Sequence, residues 1–369
     1  MKSLMRESKN KLKLGTFSAN CSGGMAVTKV DERWNNNWEN NIDLVKQCDA
    51  AGIEFMLPIA RWIGYGGEKD FHGNVLETVT WAAGLAAHSK NIQVFATVHT
   101  AFNHPIVTAK QLATLDQMSG GRLGLNVVAG WNKPEYDAFG KDLPGDHADR
   151  YAMAQEWFDY VQKLWTEDKP FDWDGTFYQG KGVYSLPHPI QDRMPVINAA
   201  ASDEGRNFAM RNADFLFTPV FDFEQAAETV KDITARAASV QREVDLLTFC
   251  SVVCRPTQKE ADDYLNWYAN ENADWEAVDN LMTLQGLHAQ SFPPEALAMF
   301  RDRFAAGHGG FPLVGTPDKI ADLLEQLSNT GVAGTTLSFV DYAKEFPYFR
   351  QEVLPRLESK GLRLPKQDS

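Results

Sequence analysis

Only four cysteines occur in 369 residues, Cys21, Cys48, Cys250 and Cys254, and none stands in a CxxC pair or a zinc-like ligand cluster. A disulfide framework and a structural zinc site are thereby set aside. Cys250 and Cys254 share one face if their segment is a strand, and read as core thiols. Long apolar runs are missing as well. The stretches 92–98 and 82–87 fall far short of the roughly 20 residues a membrane span needs, so the chain reads as soluble. Positive charge is in deficit, 36 Lys+Arg against 49 Asp+Glu, and a net charge of −13 makes nucleic acid a poor candidate partner. There is no HExxH, and His99 and His104 have the wrong spacing for one helical face, so no metal set is expected. Lys2, Arg6, Lys9, Lys11 and Lys13 have no apolar core or cleavage site behind them, which predicts an untargeted tail and a cytoplasmic location. Internal repeats and low-complexity runs are lacking too.

What is present is a 44% hydrophobic, 23% charged chain, enough for one large buried core. Strand-like runs at 12–18, 54–58, 92–98, 123–129, 196–199, 215–219, 246–253 and 335–340 alternate with helical patterns. The helices are expected at 38–51, 76–87, 105–118, 148–164, 204–212, 224–239, 258–269 and 317–329, several opened by caps such as Ser202 and Thr316-Pro317. Eight alternations favour a (β/α)8 TIM barrel over an open sheet, and a barrel gathers its reacting groups at the carboxyl ends of the strands. The expected layout is a tail over 1–10, one barrel domain over 11–362 and a tail over 363–369. Long insertions fall near 168–194, with a small hairpin around 175–184, and near 270–312, with a Pro-Pro pair and Gly309-Gly310; long insertions are usually lids, binding loops or partner surfaces.

The most informative stretch is LDQMSGGRLGLNVVAGWNKPEYDAF, 115–139. A helix ends at Gly120-Gly121, a buried strand follows, and the next loop carries an indole, an amide, a lysine and a carboxylate on the catalytic face. Asn126 stands out in the apolar strand, as a core amide bonded to backbone or as a ligand. Thr97 poses the same choice. The GYGG turn at 64–67 supplies backbone able to approach a ligand closely, although paired glycines are more often simple turns. The run Lys259, Glu260, Asp262, Asp263 reads as a solvated helix face.

The blocks IARWIGYGG (59–67), LETVTWAAGLAAHSKNIQVFATV (76–98), LDQMSGGRLGLNVVAGWNKPEYDAFG (115–140), ADRY (148–151), AASDEG (200–205) and TLSFVDYAKEF (336–346) resemble the bacterial luciferase-like flavin-dependent monooxygenases. Within that family they are most similar to the pyrimidine monooxygenases, while SGGMAVTKV (22–30) resembles the dimethylsulfone monooxygenases. The resemblance implies an FMN site built from Ala60, Arg61, Asn126, Glu135, Arg150, Tyr151 and Ser202, and an oxygen pocket of Leu57, Thr97, Asn126 and Trp131. It further implies reduced FMN from a separate NAD(P)H:FMN reductase, O2 as co-substrate, a small substrate with a C–N, C–S or C–halogen bond, and a homodimer or homotetramer. A deazaflavin-dependent oxidoreductase and a non-catalytic flavin-binding protein stay open as alternatives. Two departures bear on the substrate. Arg61 stands where the relatives have lysine, and HTAFNH (99–104) replaces an apolar stretch. His99 and His104 are expected at the pocket mouth as proton donors or substrate ligands, or else as histidines satisfied by backbone; His72 is a third candidate.

Overall fold

The computed structural model describes residues 4–287 and 294–365. Its strands are β1 (Lys13–Phe17), β2 (Phe55–Leu57), β3 (Gln93–His99), β4 (Leu123–Val128), a hairpin of β5 (Phe171–Asp174) and β6 (Gln179–Val183), then β7 (Val196–Ala199), β8 (Phe215–Phe217), β9 (Asp245–Cys254), β10 (Phe311–Gly315) and β11 (Gly334–Ser338). Parallel pairing runs β1-β2-β3-β4-β7-β8-β9-β11 and returns to β1, which closes an eight-stranded (β/α)8 barrel. All eight strands expected from the sequence are barrel strands.

Alternation along the strands divides the core in two. Phe17, Phe55, Phe95, Phe215, Phe217 and Phe249 point inward with Leu57, Ile197 and Leu247 and fill the barrel. Leu14, Met56, Val94, Ala96 and Leu125 point outward against the helices. Rings that large need room. A Cβ at Gly15 would lie 2.6 Å from the Phe55 ring, and one at Gly124 would lie 2.3 Å from Phe95. These two strand glycines are therefore packing residues, and either one changed to alanine would push a core ring aside.

The segments read as tails supply the barrel floor. Leu4–Glu7 forms a helical turn that buries Met5 in the phenylalanine cluster. Arg363 pairs with buried Glu54 at 2.8 Å, and the same carboxylate accepts from Ser8, Asn10 and the Leu14 amide.

The first insertion forms the expected hairpin. In the second, the helix Gln258–Asn266 runs through a π-helical turn, Trp267–Glu271, to the helices Trp275–Leu284 and Pro294–Gly307. Val27, Tyr65, Phe71, Tyr268, Ala277, Leu281 and Phe304 join in a separate cluster, which roofs the loops after β1 and β2. Pro293 of the Pro-Pro pair lies outside the described residues. A ninth strand of the sheet, β10, pairs with the end of β9 where that strand leaves the barrel. Its Pro312 and Gly315 hide it from a propensity reading. Cys250 and Cys254 lie on the outer face of β9, both buried and unpaired with each other. Among the described residues no helix is long and apolar enough to cross a membrane, and no group of three metal-ligating side chains occurs.

Candidate active site

Three neighbouring strands are tied together at their carboxyl ends by one hydrogen-bond chain. Asn126 Nδ2 donates to Thr97 Oγ1 at 3.1 Å, and the Thr97 hydroxyl donates to the Pro58 carbonyl at 2.6 Å. The register sets Thr97 beside Asn126, and Pro58, following Leu57, brings its carbonyl to the same level. Thr97 is thus fully engaged, whereas Asn126 Oδ1 is buried with no partner. A buried amide oxygen left so costs about 1–3 kcal/mol, which a hydrogen-bond donor bound at the mouth would recover. Leu57 supplies the apolar wall below this row.

A second tie crosses from the β2 loop to the β4 loop. Arg61 Nη1 pairs with Glu135 at 2.9 Å, with both side chains almost fully buried, and the Trp62 amide donates to the same oxygen at 2.8 Å. The guanidinium lies 4.9 Å from the Tyr65 ring centre and 5.3 Å from that of Trp131, sandwiched as a planar cation can be. Arg61 Nε has no partner. Ala60, Arg61, Trp62, Thr97, His99 and Asn103 line a recess between β2 and β3.

The third group sits across the mouth. Ser202 caps the helix Asp203–Asn212 by accepting from the Gly205 amide at 3.2 Å. Tyr151 lies against that helix start; a Cβ at Gly205 would meet its hydroxyl at 2.5 Å. Burial pushes the Tyr151 phenol up to about 12, while its hydrogen bond to the Asn198 side chain works the other way. Arg150 is mostly buried and donates to the Pro144 carbonyl at 2.6 Å. Asn198 donates to the Val127 carbonyl at 2.8 Å and keeps a buried, unpartnered Oδ1.

The histidines separate. His104 is exposed and caps the helix Pro105–Ser119, its Nδ1 accepting from the Ile106 amide at 3.3 Å, so it serves the helix and does not join the groups above. His99 ends β3, buried, with Nδ1 unpartnered. Burial, and then the Arg61 charge, push its pKa down to about 3. In this environment the ring is neutral, with Nδ1 free for a hydrogen bond. His72 lies away from β3, under the second insertion, its Nε2 2.6 Å from the Gly24 carbonyl.

This carries a pH consequence. With the folded pKa of His99 below its unfolded value, the unfolded state binds more protons between about pH 3 and 6.5, so stability falls as pH drops through that window. His99→Gln is expected to unfold with a shallower dependence over that window. Urea midpoints at several pH values will show it, and parallel slopes would contradict it.

Sequence reading missed Asn198, Tyr65 and His308. Asn198 carries the same signal as Asn126, an amide inside an apolar strand. Tyr65 lay inside a motif read for its glycines, and His308 precedes the Gly309-Gly310 pair, far from any strand pattern.

Residues 12–334 match the family model for luciferase-like monooxygenases. The chain is 31% identical over 353 residues to the FMNH2-dependent dimethylsulfone monooxygenase of Pseudomonas putida, covering 93% of this chain and 94% of that one. It is 28% identical over 356 residues to the pyrimidine monooxygenase RutA of Acinetobacter baylyi, covering 95% of each. The crystal structure of DmoA from Hyphomicrobium sulfonivorans matches with a TM-score of 0.87 at 21% identity, over 98% of this chain and 91% of that one, a likeness that speaks for the fold. With the barrel closed and the match running from its first strand into its last, the chain belongs to the luciferase-like monooxygenase family.

Proposed function

We propose that this protein is the oxygenase half of a two-component system, which takes reduced FMN from a separate NAD(P)H:FMN reductase and uses O2 to oxidise a small heteroatom-containing molecule. The observation that carries the reading is the unpartnered Asn126 Oδ1 at the end of the chain from Pro58 through Thr97. Asn198 Oδ1 and Asn132 Oδ1 are likewise buried without partners. A flat heterocycle rich in N–H and C=O groups suits such a set, and so the residues present fit a flavin. When bound, reduced FMN supplies the electrons that make O2 reactive toward the substrate.

The chain's own part is to bind, orient and exclude water. Ala60, Arg61 and Glu135 form one wall, with the buried ion pair holding the β2 and β4 loops at a fixed separation. Arg150, Tyr151 and Ser202 are suited to the phosphate end, because a guanidinium and a helix amino end both favour an anion. Thr97 fixes the Asn126 amide so that its Oδ1 can accept from a ring N–H of the flavin, and Leu57 and Trp131 keep the place beside it dry.

Arg150→Ala is expected to weaken FMN by on the order of 2 kcal/mol, roughly thirtyfold, through loss of a charge-assisted contact. Fluorescence titration of FMN measures this directly. An unchanged affinity would remove Arg150 from the phosphate site.

A further inference from the structure

The loop that follows β3 is gripped from three directions. Tyr178, on the hairpin insertion, donates its hydroxyl to the Thr100 carbonyl at 3.1 Å. Lys141, just past the helix Lys133–Ala138, donates to the Ala101 carbonyl at 2.6 Å. The Trp157 indole, on the helix His147–Thr166, donates to the Asn103 carbonyl at 2.7 Å. Water alone would satisfy the carbonyls of a surface loop, so these three bonds do more than pair polar groups: they fix where the loop sits. The Tyr178 grip is itself anchored. Glu156 accepts from the Thr176, Phe177 and Tyr178 amides at 2.9, 3.0 and 2.9 Å, which pins the hairpin turn to the same helix that carries Trp157.

What the loop presents to its neighbours is Phe102. Its ring stacks on Phe139 with centres 4.3 Å apart and meets Tyr136 edge-on at 4.9 Å. Tyr136 and Phe139 stand on either side of the last turn of the helix Lys133–Ala138, and that helix carries Glu135, the partner of Arg61. Phe139 also touches Trp62 of the β2 loop, 5.4 Å between centres. We propose that Tyr178 is a positioning residue for the flavin wall: it holds the β3 loop so that Phe102 keeps the Glu135 helix in place against Arg61. The need for a brace follows from the chemistry of the pair. A buried guanidinium and carboxylate repay their desolvation only at close, well-aligned contact. The helix that must deliver this alignment has six residues and no side-chain cap at its amino end. A helix so short has little stability of its own, so its position comes from packing, and Phe102 supplies that packing from the β3 side.

The inference rests on the flavin reading only for what the wall binds. Amide hydrogen exchange on the full, flavin-free chain tests the brace itself, and fluorescence titration of FMN tests its consequence. Tyr178→Phe removes one oxygen atom and keeps the ring that packs against His104. It is expected to speed exchange in both 99–104 and 133–139, to weaken FMN roughly fivefold, and to leave the urea midpoint close to the parent's. Phe102→Leu cuts the link between loop and helix and should weaken FMN by a similar factor. Adding Tyr178→Phe to it should then cost little further affinity, because the two residues act in series. Faster exchange confined to the hairpin and the β3 loop, parent-like FMN affinity in Tyr178→Phe, or full multiplication of the two losses in the double variant would each overturn the proposal. A parent that binds no FMN would instead count against the flavin reading, with the exchange pattern still deciding whether Tyr178 positions the Glu135 helix.

Discussion

Asn126→Ala is expected to weaken FMN by roughly tenfold, through loss of the buried acceptor Oδ1, and to lower coupled product formation by more than the loss of binding alone accounts for. Both effects follow from how the side chain is held. Its Nδ2 is spent on Thr97, so the amide cannot rotate freely, and its Oδ1 is the buried atom left for a ligand. Removing it should leave oxygen consumption running with hydrogen peroxide in place of product. Thr97→Val tests the same row from below, since it removes the hydroxyl that orients the amide and leaves Asn126 in place; a smaller loss in the same direction is expected. The measurement is product and peroxide yield per O2 consumed. Asn126→Ala with parent-like coupling would take this residue out of the chemistry.

Glu135→Gln is expected to destabilise the fold by about 3 kcal/mol and to weaken FMN as well. Among the described residues the carboxylate is the ion partner of the buried Arg61, and it also accepts from the Trp62 amide. An amide in its place can keep the second bond but leaves the guanidinium without a counter-charge in a desolvated place. Arg61→Met combined with Glu135→Gln should recover much of the stability, because the unpaired charge is then gone, but not the flavin affinity. Urea denaturation of the two single variants and the double variant checks this. Equal additive losses would mean that the pair is worth little to the fold.

The barrel was legible because its signals are local. Runs such as QVFATVH and LGLNVV, separated by capped helices, carry strand and helix periods that need no tertiary information. β10 escaped because Pro312 and Gly315 spoil the strand pattern, and the helix Tyr342–Glu352 because Pro347 interrupts it. The site was legible where a polar residue breaks an apolar strand, as Asn126 and Thr97 do. It was not legible where distance in sequence is large: Tyr65 meets His308 at a separation of 243 positions, and Glu54 meets Arg363 at one of 309. Nor could the sequence tell that His99 is buried beside the Arg61 charge, which changes its protonation, or that His104 spends its Nδ1 on a helix start.

The most direct test of the proposed function is a single turnover of the protein loaded with reduced FMN and mixed with ¹⁸O2 in the presence of a panel of small heteroatom-containing compounds. Reduced deazaflavin and an anaerobic arm serve as the contrasts. One labelled oxygen atom in the product, with no turnover in either contrast, is the expected result. Product formed without O2, product formed with the deazaflavin, or flavin bound with no turnover of any compound would contradict it.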